Sequence, residues 1–549
     1  MKTQSPTVAD ELAHRKRQEA LALPESLGDF VREQAALHGD KTAAVWFERG
    51  ISMSYAEIDR AASCLADSLV KRGIRKGSHV ALMLKNAPEF PITWIALGRI
   101  GAVMVPVNTA YTREEMAFVL TDADAQYLVI DAEYLPRLAD APALPGLLAW
   151  ERVIVAGAVD ASDPTLQWQA LVDAGNADFV APSAVSRNDL LNLQYTSGTT
   201  GFPKGCMLSH DYWMIHCHGA ARHRRGPQGG IENVLIWAPF FYMDPMWQFL
   251  MTLKLGGTAY IAERMSLSRF MSWLIDYRIH YCIFPEPALS QHPRSPRDAE
   301  VCLKYISIYG WTQPAREEVQ ARFNVIAREG FGMTEVGTGA LVPAWAHDKA
   351  LERTCGLPAP FRELQIRRED GSVAEVDEAG ELWVRGRGIL WGYYKRPEAN
   401  AESFDGAWFR TGDIFRRDAD GFYSIVGRIK EMIKRSGENV SATEVEAVLR
   451  SLDVIDEAAV VPVPDPLRRE EVKAYLKLRE GLSHADVPPS MVFEHCAKHL
   501  AAFKVPRFLQ YIDGDFPRTP SRKIAKKRLI AETVDPFAQT YDRQEARWR

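Results

Sequence analysis

The sequence lacks several features that mark secreted and membrane proteins. The seven cysteines are scattered and odd in number, and no Cys-x-x-Cys pair occurs, which indicates reduced thiols instead of a disulfide framework. The first twenty residues contain no apolar core, so a signal peptide is not indicated. The longest apolar run, residues 92–107, is broken by Arg99 and Pro106 and is shorter than a bilayer requires.

No excess of one charge sign is present either. The 66 Lys and Arg residues nearly balance the 71 Asp and Glu residues, giving a net charge of -5. A general binder of nucleic acid would be strongly basic, so no nucleic-acid partner is expected. The last residues, Arg-Trp-Arg, are neither a peroxisomal nor a reticular address. We therefore expect a cytoplasmic protein without an integral membrane segment.

The composition is that of a globular protein, and the chain is long enough for several folding units. The chain has 549 residues, of which 47% are apolar and 25% charged. At roughly 150 residues per domain this length predicts about three to four folding units. Disordered, collagen-like and disulfide-scaffold proteins are excluded by the same numbers.

Hydrophobic periodicity predicts a mixed α/β fold. Apolar residues at helical spacing run from Tyr55 to Leu69 and stop at Gly73, and the apolar strand 80–84 follows. The same pair recurs as a helix over 113–120 and a strand over 127–130. Helices that alternate with continuous apolar strands are typical of a parallel sheet covered on both faces.

Two other local patterns add detail to this prediction. A strand over 234–238 is followed by Asp244 as a helix N-cap and by Pro245 at the first helical position, and Gly256-Gly257 closes that helix. After about residue 355, Asp-Gly pairs at 370–371, 405–406 and 420–421 predict antiparallel hairpins.

The C-terminal region has the pattern of a compact α+β domain. Ser441-x-x-Glu444 predicts a capped helix, and strands follow over 458–463 and 473–478. We place the boundary at residues 429–430. A large α/β domain with a β-hairpin subdomain would span 1–428, and a small α+β domain would span 431–549.

The strongest chemical signal is the segment from Tyr195 to Gly205, Tyr-Thr-Ser-Gly-Thr-Thr-Gly-Phe-Pro-Lys-Gly, directly after the apolar strand 190–193. Its glycines allow backbone amides to converge on phosphate oxygens, while four hydroxyls and Lys204 add further donors. It is not a mononucleotide P-loop, which requires a different spacing that opens a helix. The alternative is a flexible surface loop, which would have no reason to end in Pro-Lys-Gly after a buried strand.

This segment and five others, in order, resemble the adenylate-forming superfamily of acyl-CoA synthetases, luciferases and peptide-synthetase adenylation domains. The other matching segments are Phe331-Gly-Met-Thr-Glu335, Gly380-Glu-Leu382, Gly392-Tyr-Tyr-x-x-Pro397, Trp408-Phe-x-Thr-Gly-Asp413 and Gly427-Arg-x-Lys-Glu431. Near the C-terminus, residues 517–523 resemble a further family signature, and the resemblance spans about residues 27–529. Residues 432–440, 465–471 and 503–507 look most like the crotonobetaine/carnitine-CoA ligase and medium-chain acyl-CoA synthetase branches.

The resemblance implies a two-step reaction of a small-molecule carboxylic acid with ATP and CoA. The acid attacks the α-phosphorus of ATP and releases pyrophosphate, and the acyl-adenylate then passes to the thiol of CoA. Three alternatives stay open: loading of a carrier protein, a luciferase-like oxidative fate and a non-catalytic nucleotide-binding relative. A homodimer also stays open.

The same resemblance assigns residues to ATP and to Mg²⁺. Lys204 and the loop hydroxyls would hold the outgoing phosphates, Thr334 would donate to the α-phosphate, and Glu335 with Thr196 would bind Mg²⁺. Asp413 and Arg428 would clamp the ribose, and Lys523 would bridge carboxylate and α-phosphate. The remaining ATP- and AMP-binding assignments are Ser197, Gly198, Thr199, Thr200, Tyr309, Gly310, Trp311, Phe331, Gly332 and Met333.

Two departures from the family pattern concern the predicted nucleotide-binding residues and the residue before Lys523. Tyr309-Gly310-Trp311 stands where the adenine wall is usually Gly-Ala-Pro. Arg522 stands where the family has glycine directly before Lys523, and arginine tolerates a positive φ poorly.

The resemblance also implies a hinge, a thiol channel and an acyl pocket. Lys430 would be the hinge about which the small domain rotates between half-reactions, and Ser436 and Gly437 would face the pantetheine channel. Trp237, Phe241, Tyr242 and Trp247 would line the acyl pocket, with Tyr242 where a histidine is common. Because only Asp244 is anionic in that region, and is expected to be occupied as an N-cap, we expect apolar aromatic or medium aliphatic acids to outperform carnitine-like ones.

Overall fold

A computed structural model describes residues 6–139, 144–157, 166–196, 203–224, 230–429, 432–435, 438–465, 468–500, 502–519, 522–531 and 535–549. Within these residues the chain divides into two compact units. The first comprises 1–364 and 384–409, and the second comprises 365–383 and 410–549. None of the helices among the described residues is long and apolar enough to cross a bilayer.

Two large, mostly parallel sheets organise the first unit. Across one sheet, neighbouring strands are Ile326–Arg328, Tyr305–Ser307, Tyr281–Ile283, Asn233–Ile236, Thr258–Ile261, Thr42–Trp46 and Ile51–Ser54. Across the other, they are Leu166–Gln167, Val153–Ala156, Tyr127–Asp131, His79–Met83, Val103–Pro106, Leu190–Thr196 and Lys204–Ser209. In each sheet only the last pair is antiparallel. Parallel strands that are buried along their length confirm the α/β prediction.

Helices connect the strands of these sheets, and several of them begin with a side-chain cap. Helix Tyr55–Lys71, for example, begins with a complete capping box between Ser54 and Glu57 and ends before Gly73, where φ is 97°. The helices of this unit are Val8–Glu19, Leu27–His38, Tyr55–Lys71, Glu89–Ile100, Arg113–Asp122, Pro136–Ala139, Trp168–Ala174, His210–His223, Met243–Leu255, Leu267–Asp276, Glu286–Gln291, Gln313–Phe323, His347–Leu351 and Pro397–Ser403, with 3₁₀ turns at Ala132–Tyr134, Trp150–Arg152 and Pro296–Glu300.

Antiparallel strands occupy the region in which the Asp-Gly pairs predicted hairpins. Gly330–Met333, Gly337–Leu341 and Leu357–Pro358 form one small sheet in the first unit. Further strands are Glu363–Arg367, Gly380–Arg385, Phe404–Asp405, Trp408–Arg417 and Tyr423–Arg428. Gly371, Gly406 and Gly421 all have positive φ, the backbone conformation for which a turn selects glycine.

The C-terminal part of the second unit is a sheet with helices packed on it. Strand Ile455–Asp465 pairs with Arg469–Leu478, and the sheet continues on that strand's other side. Its remaining strands are Met432–Arg435, Glu438–Ser441, Phe508–Tyr511, Tyr541–Asp542 and Arg547–Trp548, and the helices are Ala442–Arg450, Pro489–His499 and Lys526–Ala531. Ser441 caps helix Ala442–Arg450, as predicted, by accepting from the Glu444 backbone N–H.

The second compact unit begins earlier in the chain than the predicted domain boundary at residues 429–430. Residues 365–383 and 410–428 belong to the C-terminal unit by their contacts. One cause is visible at Ser441, whose hydroxyl donates to the Val426 carbonyl at 2.5 Å. The predicted division into domains 1–428 and 431–549 with a hinge at 429–430 stays a prediction, and Lys430 lies outside the described residues.

Candidate active site

The predicted phosphate loop connects two neighbouring strands that are paired up to the ends from which the loop leaves. Strands Leu190–Thr196 and Lys204–Ser209 run antiparallel, and Thr196 stands opposite Lys204 at the end of the ladder. The connecting loop therefore leaves and returns at one point of the sheet. Ser197, Gly198, Thr199 and Thr200, predicted to bind phosphate, lie outside the described residues.

Thr334 and Glu335 occupy the two central positions of a tight turn between strands Gly330–Met333 and Gly337–Leu341. The Val336 N–H donates to the Met333 carbonyl at 3.1 Å and closes that turn. Gly332 is constrained there, because a Cβ would lie 2.9 Å from the Gly337 carbonyl oxygen. The sequence Gly-Met-Thr-Glu thus presents Thr334 and Glu335 together at a hairpin tip, and Phe331 is buried at its base.

Two side chains far away in the sequence hold this turn in place. The Arg362 guanidinium donates from Nε to the Val336 carbonyl at 2.8 Å and from Nη2 to the Gly388 carbonyl at 2.9 Å. The Tyr212 hydroxyl donates to the Thr334 carbonyl at 3.0 Å. Arg362 is 1% exposed, and burial lowers its pKa to about 10, so it stays protonated at neutral pH. Sequence reasoning missed both residues.

Glu335, Tyr393 and Lys204 form a connected cluster. The Tyr393 hydroxyl donates to Glu335 Oε1 at 2.8 Å, and Glu335 is only 7% exposed. Lys204 Nζ lies 4.2 Å from the centroid of the Tyr393 ring, a cation–π contact. Burial, and secondarily the Glu335 charge, raise the pKa of Tyr393 far above its usual range, so its hydroxyl remains a donor. Tyr393 lies in the Gly392–Pro397 segment, whose pattern alone predicted no role for it.

Cys206 lies at the centre of the same group. Its backbone pairs with that of Tyr393, and its thiol is hydrogen bonded to Thr196. Burial, and after it the nearby Glu335 charge, raise the pKa of the thiol, which is therefore neutral and not a nucleophile. The structure accordingly brings Thr196, Lys204 and Glu335 close together, and their roles toward phosphate and Mg²⁺ stay predictions.

Asp413 and Arg428 lie side by side in the second unit. They are opposite each other on strands Trp408–Arg417 and Tyr423–Arg428, and Arg428 Nε is 2.9 Å from Asp413 Oδ1. Asp413 is 1% exposed, whereas the Arg428 side chain is about half exposed. The pair predicted to clamp a ribose is thus present as an ion pair.

Lys523 lies on a short hairpin of the second unit, where Arg518 and Ile524 form a backbone bridge. Its N–H donates to the Thr519 hydroxyl at 3.2 Å, and its carbonyl accepts from the Thr519 N–H at 2.8 Å. Arg522, directly before it, has φ of 62°. Arg522, where the resemblance expects glycine, therefore has a left-handed backbone conformation, which is unfavourable for a residue with a Cβ.

The segment Tyr309-Gly310-Trp311 follows strand Tyr305–Ser307 at the carboxyl edge of the sheet. Tyr309 is 46% exposed, and Gly310 has φ of 68° with its N–H donating to Glu329 at 2.7 Å. The Trp311 side chain is instead 3% exposed and packs on Phe284 in the core. Its ring is therefore not part of an exposed adenine wall.

The predicted acyl-pocket residues make different local contacts. Phe241 and Tyr242 lie side by side, 4.6 Å between ring centroids, and the Tyr242 hydroxyl accepts from the Asn108 amide at 3.4 Å. Trp247 stacks on His216 at 5.6 Å. Trp237 donates to the Ile283 carbonyl at 2.7 Å.

The predicted N-cap at Asp244 is wrong. Helix Met243–Leu255 has Tyr242 as its N-cap, without a side-chain capping bond, so Asp244 and Pro245 already lie in the first turn. Asp244 instead accepts from the Trp247 indole N–H at 2.9 Å, a local contact three residues along the helix. Gly256 ends the helix at φ of 67°, as predicted.

The predicted hinge residue Lys430 and the predicted channel residues Ser436 and Gly437 lie outside the described residues. Their roles stay predictions.

Family models match both the N-terminal and the C-terminal part of the chain. The profile of the family described as AMP-binding enzyme matches residues 31–394, and that described as AMP-binding enzyme C-terminal domain matches residues 444–523.

Individual relatives agree with that match. The chain is 31% identical to a crotonobetaine/carnitine–CoA ligase of Citrobacter koseri over 507 residues, covering 90% of this chain and 97% of the relative. It is 26% identical to the Mycobacterium tuberculosis fatty acyl CoA synthetase, with a TM-score of 0.71 over 92% of this chain and 98% of that one. The anthranilate CoA ligase AuaEII in complex with anthranoyl-AMP shares the fold, with a TM-score of 0.82 at 22% identity over 94% of this chain and 98% of that chain.

Proposed function

The chain belongs to the AMP-binding enzyme family, and from this premise we propose that it is an AMP-forming ligase that joins a carboxylic acid to the thiol of CoA. Acid and ATP give acyl-AMP and pyrophosphate, and acyl-AMP and CoA give acyl-CoA and AMP. The observation that carries the adenylation step is the cluster of Glu335, Tyr393 and Lys204 beside the paired strand ends of the phosphate loop. Similarity to CoA ligases along 97% of a relative's length supports CoA as the acceptor.

In the first half-reaction a carboxylate oxygen bonds to the α-phosphorus while the bond to pyrophosphate breaks. Such a step depends mainly on positioning and on neutralising phosphate charge. Lys204, held over the Tyr393 ring, places one positive charge at the base of the loop. Arg362 and Tyr212 hold the turn that carries Thr334 through its backbone carbonyls, and in this proposal the Thr334 hydroxyl donates to the α-phosphate.

The residues around Glu335 fit Mg²⁺. A buried carboxylate and the Thr196 hydroxyl offer oxygen ligands, which a hard divalent cation prefers. When bound with ATP, Mg²⁺ supplies further positive charge to the phosphate oxygens. The Tyr393 hydroxyl orients the Glu335 carboxylate by occupying Oε1.

Residues of the second unit have proposed roles toward the nucleotide and in the transfer. Asp413, beside Arg428, accepts from the ribose hydroxyls, and Lys523 neutralises charge between carboxylate and α-phosphate. In the second half-reaction the CoA sulfur bonds to the acyl carbon, AMP leaves, and the thiol proton passes to solvent. We propose that rotation at Lys430 moves Lys523 away between the half-reactions. The CoA thiol then enters through a channel along Ser436 and Gly437.

A buried positive charge bears on the choice of acid. Arg224 is 4% exposed, its Cζ lies 4.7 Å from the Trp247 ring centroid, and it donates to the Ser307 hydroxyl at 3.0 Å. An arginine remains charged in proteins, so a cationic acyl group near Trp247 would meet like charge in a medium of low dielectric. Asp244, the nearest carboxylate in sequence, is bonded to the Trp247 indole. We therefore propose apolar acids of medium size as substrates, unlike the acids named for the crotonobetaine/carnitine ligases.

The test is a panel of straight-chain, aromatic and quaternary-ammonium acids, scored by acid-dependent exchange of pyrophosphate into ATP and by CoA consumption. We expect exchange without CoA, and consumption of CoA with apolar acids. Exchange without CoA consumption would favour a carrier protein as acceptor, and absence of exchange would favour a non-catalytic relative. Preference for a quaternary ammonium would contradict the assigned substrate class. Sedimentation equilibrium decides whether the proposed homodimer forms.

A further inference from the structure

The N-terminal helix, Val8–Glu19, precedes residues 31–394, which the family model matches, so the resemblance assigns it no role. Its last residue nevertheless bonds to a segment more than 300 positions away. Glu19 Oε1 accepts from the Phe361 backbone N–H at 2.7 Å. The same oxygen is 2.8 Å from Nε of Arg15, one turn earlier in the helix. An ion pair thus holds the carboxylate in place while it accepts from the distant backbone.

Glu19 stands at the end of the helix where a negative charge is least favourable. The C-terminus of a helix carries a partial negative charge, so cations are preferred there and carboxylates are not. Lys16 and Arg17 in the last turn follow that preference, whereas Glu19 does not. Hydrogen bonds to a charged acceptor are shorter and stronger than those between neutral groups. The short bond to the Phe361 N–H therefore gives a physical reason for an otherwise unfavourable residue.

Phe361 has a backbone conformation that needs external support. Its φ is 62°, in the left-handed region that a bulky side chain rarely adopts. Such a conformation persists only where the surrounding structure imposes it, and it is found preferentially at functional sites. The Glu19 carboxylate fixes the N–H of this residue, and Arg387 Cζ lies 5.3 Å from the centroid of its ring.

The backbone at Phe361 also packs closely against another segment of the chain. A Cβ at Gly386 would lie 1.8 Å from the Phe361 carbonyl oxygen, which leaves room for glycine alone. The same Cβ would lie 3.4 Å from Cα of Arg362. Because the two backbones touch, Phe361 cannot change its conformation without a shift of its neighbours.

Arg362 connects Phe361 to the hairpin turn at residues 333–336, which we call the Glu335 turn. Its Nη1 donates to the Phe361 carbonyl at 3.1 Å and to the Arg387 carbonyl at 2.6 Å. Its Nε donates to the Val336 carbonyl at 2.8 Å. Each of these acceptors is a backbone carbonyl, so the buried guanidinium follows the backbone around it. A change at residue 361 therefore reaches the Glu335 turn through a single side chain.

We propose that Glu19 is a positioning residue for the adenylation step. By accepting from the Phe361 N–H, Glu19 keeps residue 361 in its left-handed conformation. Arg362 then holds the Glu335 turn so that it presents Thr334 and Glu335 to MgATP. The N-terminal helix is in this way part of the support of the ATP site. This inference rests on the proposed ligase function and adds a residue to the same site.

The experiment compares MgATP binding and pyrophosphate exchange in the full-length enzyme and its variants. Glu19→Ala removes the acceptor, and Glu19→Gln keeps an acceptor oxygen without the charge. Glu11→Ala is the matched control, because Glu11 lies on the same helix but accepts from the Trp345 indole N–H at 3.2 Å. Calorimetric titration without an acid gives the Kd for MgATP, and exchange gives kcat and KM for MgATP and for the acid.

We expect Glu19→Ala to weaken MgATP binding and to lower kcat/KM for MgATP by about 3- to 12-fold, the factor that corresponds to roughly one hydrogen bond. Glu19→Gln should lose less, the KM for the acid should not change, and Glu11→Ala should stay within twofold of the wild type. A residue that only stabilised the fold would behave differently. Its loss would reduce the active fraction and hence kcat, while the Kd and both KM values stayed constant.

A double variant tests the route through residue 361. Glycine adopts a positive φ readily, so in a Phe361→Gly background the backbone no longer needs Glu19 to hold it. We expect Glu19→Ala to change the Kd for MgATP less than twofold in that background. The comparison of the four proteins is a double-mutant cycle, which measures the coupling between the two residues. An undiminished effect of Glu19→Ala in the Phe361→Gly background would contradict the route.

Three further results would overturn the inference. These are a Glu19→Ala protein within twofold of the wild type, an equal loss in Glu11→Ala, or a loss in kcat alone. If Glu19→Ala does not fold, the milder Glu19→Gln is judged by the same criteria. If the wild type exchanges pyrophosphate and the Glu19 variants do not differ from it, the proposed function stands and only this inference fails. If no acid supports exchange in the wild type, the proposed function fails and this inference fails with it.

Discussion

Replacing Tyr393 with phenylalanine isolates one hydrogen bond of the proposed Mg²⁺ site. The substitution keeps the aromatic face over which Lys204 lies and removes only the hydroxyl that donates to Glu335 at 2.8 Å. Hydrogen bonds to charged groups contribute about 1.5–3 kcal/mol, and Glu335 is too buried for water to replace the donor freely. Since about 1.4 kcal/mol corresponds to tenfold in rate, kcat/KM for MgATP should fall roughly 10- to 150-fold.

The assay is pyrophosphate exchange at varied ATP and Mg²⁺ with a saturating acid. We expect the loss to decrease at high Mg²⁺, because a misoriented carboxylate still attracts the cation. Tyr394→Phe is the control, since that neighbouring hydroxyl donates to Asp124 at 2.8 Å and not to the cluster. If Tyr393→Phe changes kcat/KM less than twofold, or if Tyr394→Phe is equally affected, Tyr393 does not orient Glu335.

Two further predictions concern stability. Arg522→Gly should raise the melting temperature of the unfolding transition that includes the second unit. Removing the strain of an arginine in the left-handed conformation gains about 1–2 kcal/mol, which exceeds the entropic cost of glycine of about 0.5–1 kcal/mol. Arg522→Ala keeps the Cβ and should show no increase in melting temperature. Burial lowers the pKa of His210 and His218 to about 4 and of His216 and His223 to about 3, against 6.5 for the ordinary ring. Below pH 6.5 the histidines of the unfolded chain take up protons, whereas those of the folded chain do not. The free energy of unfolding should therefore fall as the pH drops from 6.5 towards 4, by up to about 1.4 kcal/mol per pH unit for each histidine. Urea unfolding at several pH values measures this decrease. A stability that is constant through this range would contradict the buried, neutral histidines.

What the sequence predicted well depends on residues that are close in the chain. Helix Tyr55–Lys71 follows from its own periodicity and capping box, and the hairpin near Asp420 follows from an Asp-Gly pair. The proximity of Thr196 and Lys204 follows from two strands joined by a short loop. In each case the interactions that decide the structure lie within about twenty residues, where patterns are readable.

What the sequence did not predict depends on distant partners. The support that Arg362 gives to the Glu335 turn, and the hydrogen bond from Tyr393, join residues 26 and 58 positions apart. No local pattern marks such bonds. Asp244 shows the related error within a single helix turn: its carboxylate suits an N-cap, but the indole of Trp247 competes for it and the helix begins two residues earlier than predicted.

The most direct measurement of the central claim follows the two half-reactions separately in Lys523→Ala. Loss of one preorganised charge at a transition state costs about 10²–10³-fold, so acid-dependent pyrophosphate exchange should fall by that factor. The same variant, given chemically prepared acyl-adenylate and CoA, should form the thioester at nearly the wild-type rate. If both halves slow equally, Lys523 does not act in adenylation alone, and the two-step mechanism with an exchanged lysine is contradicted.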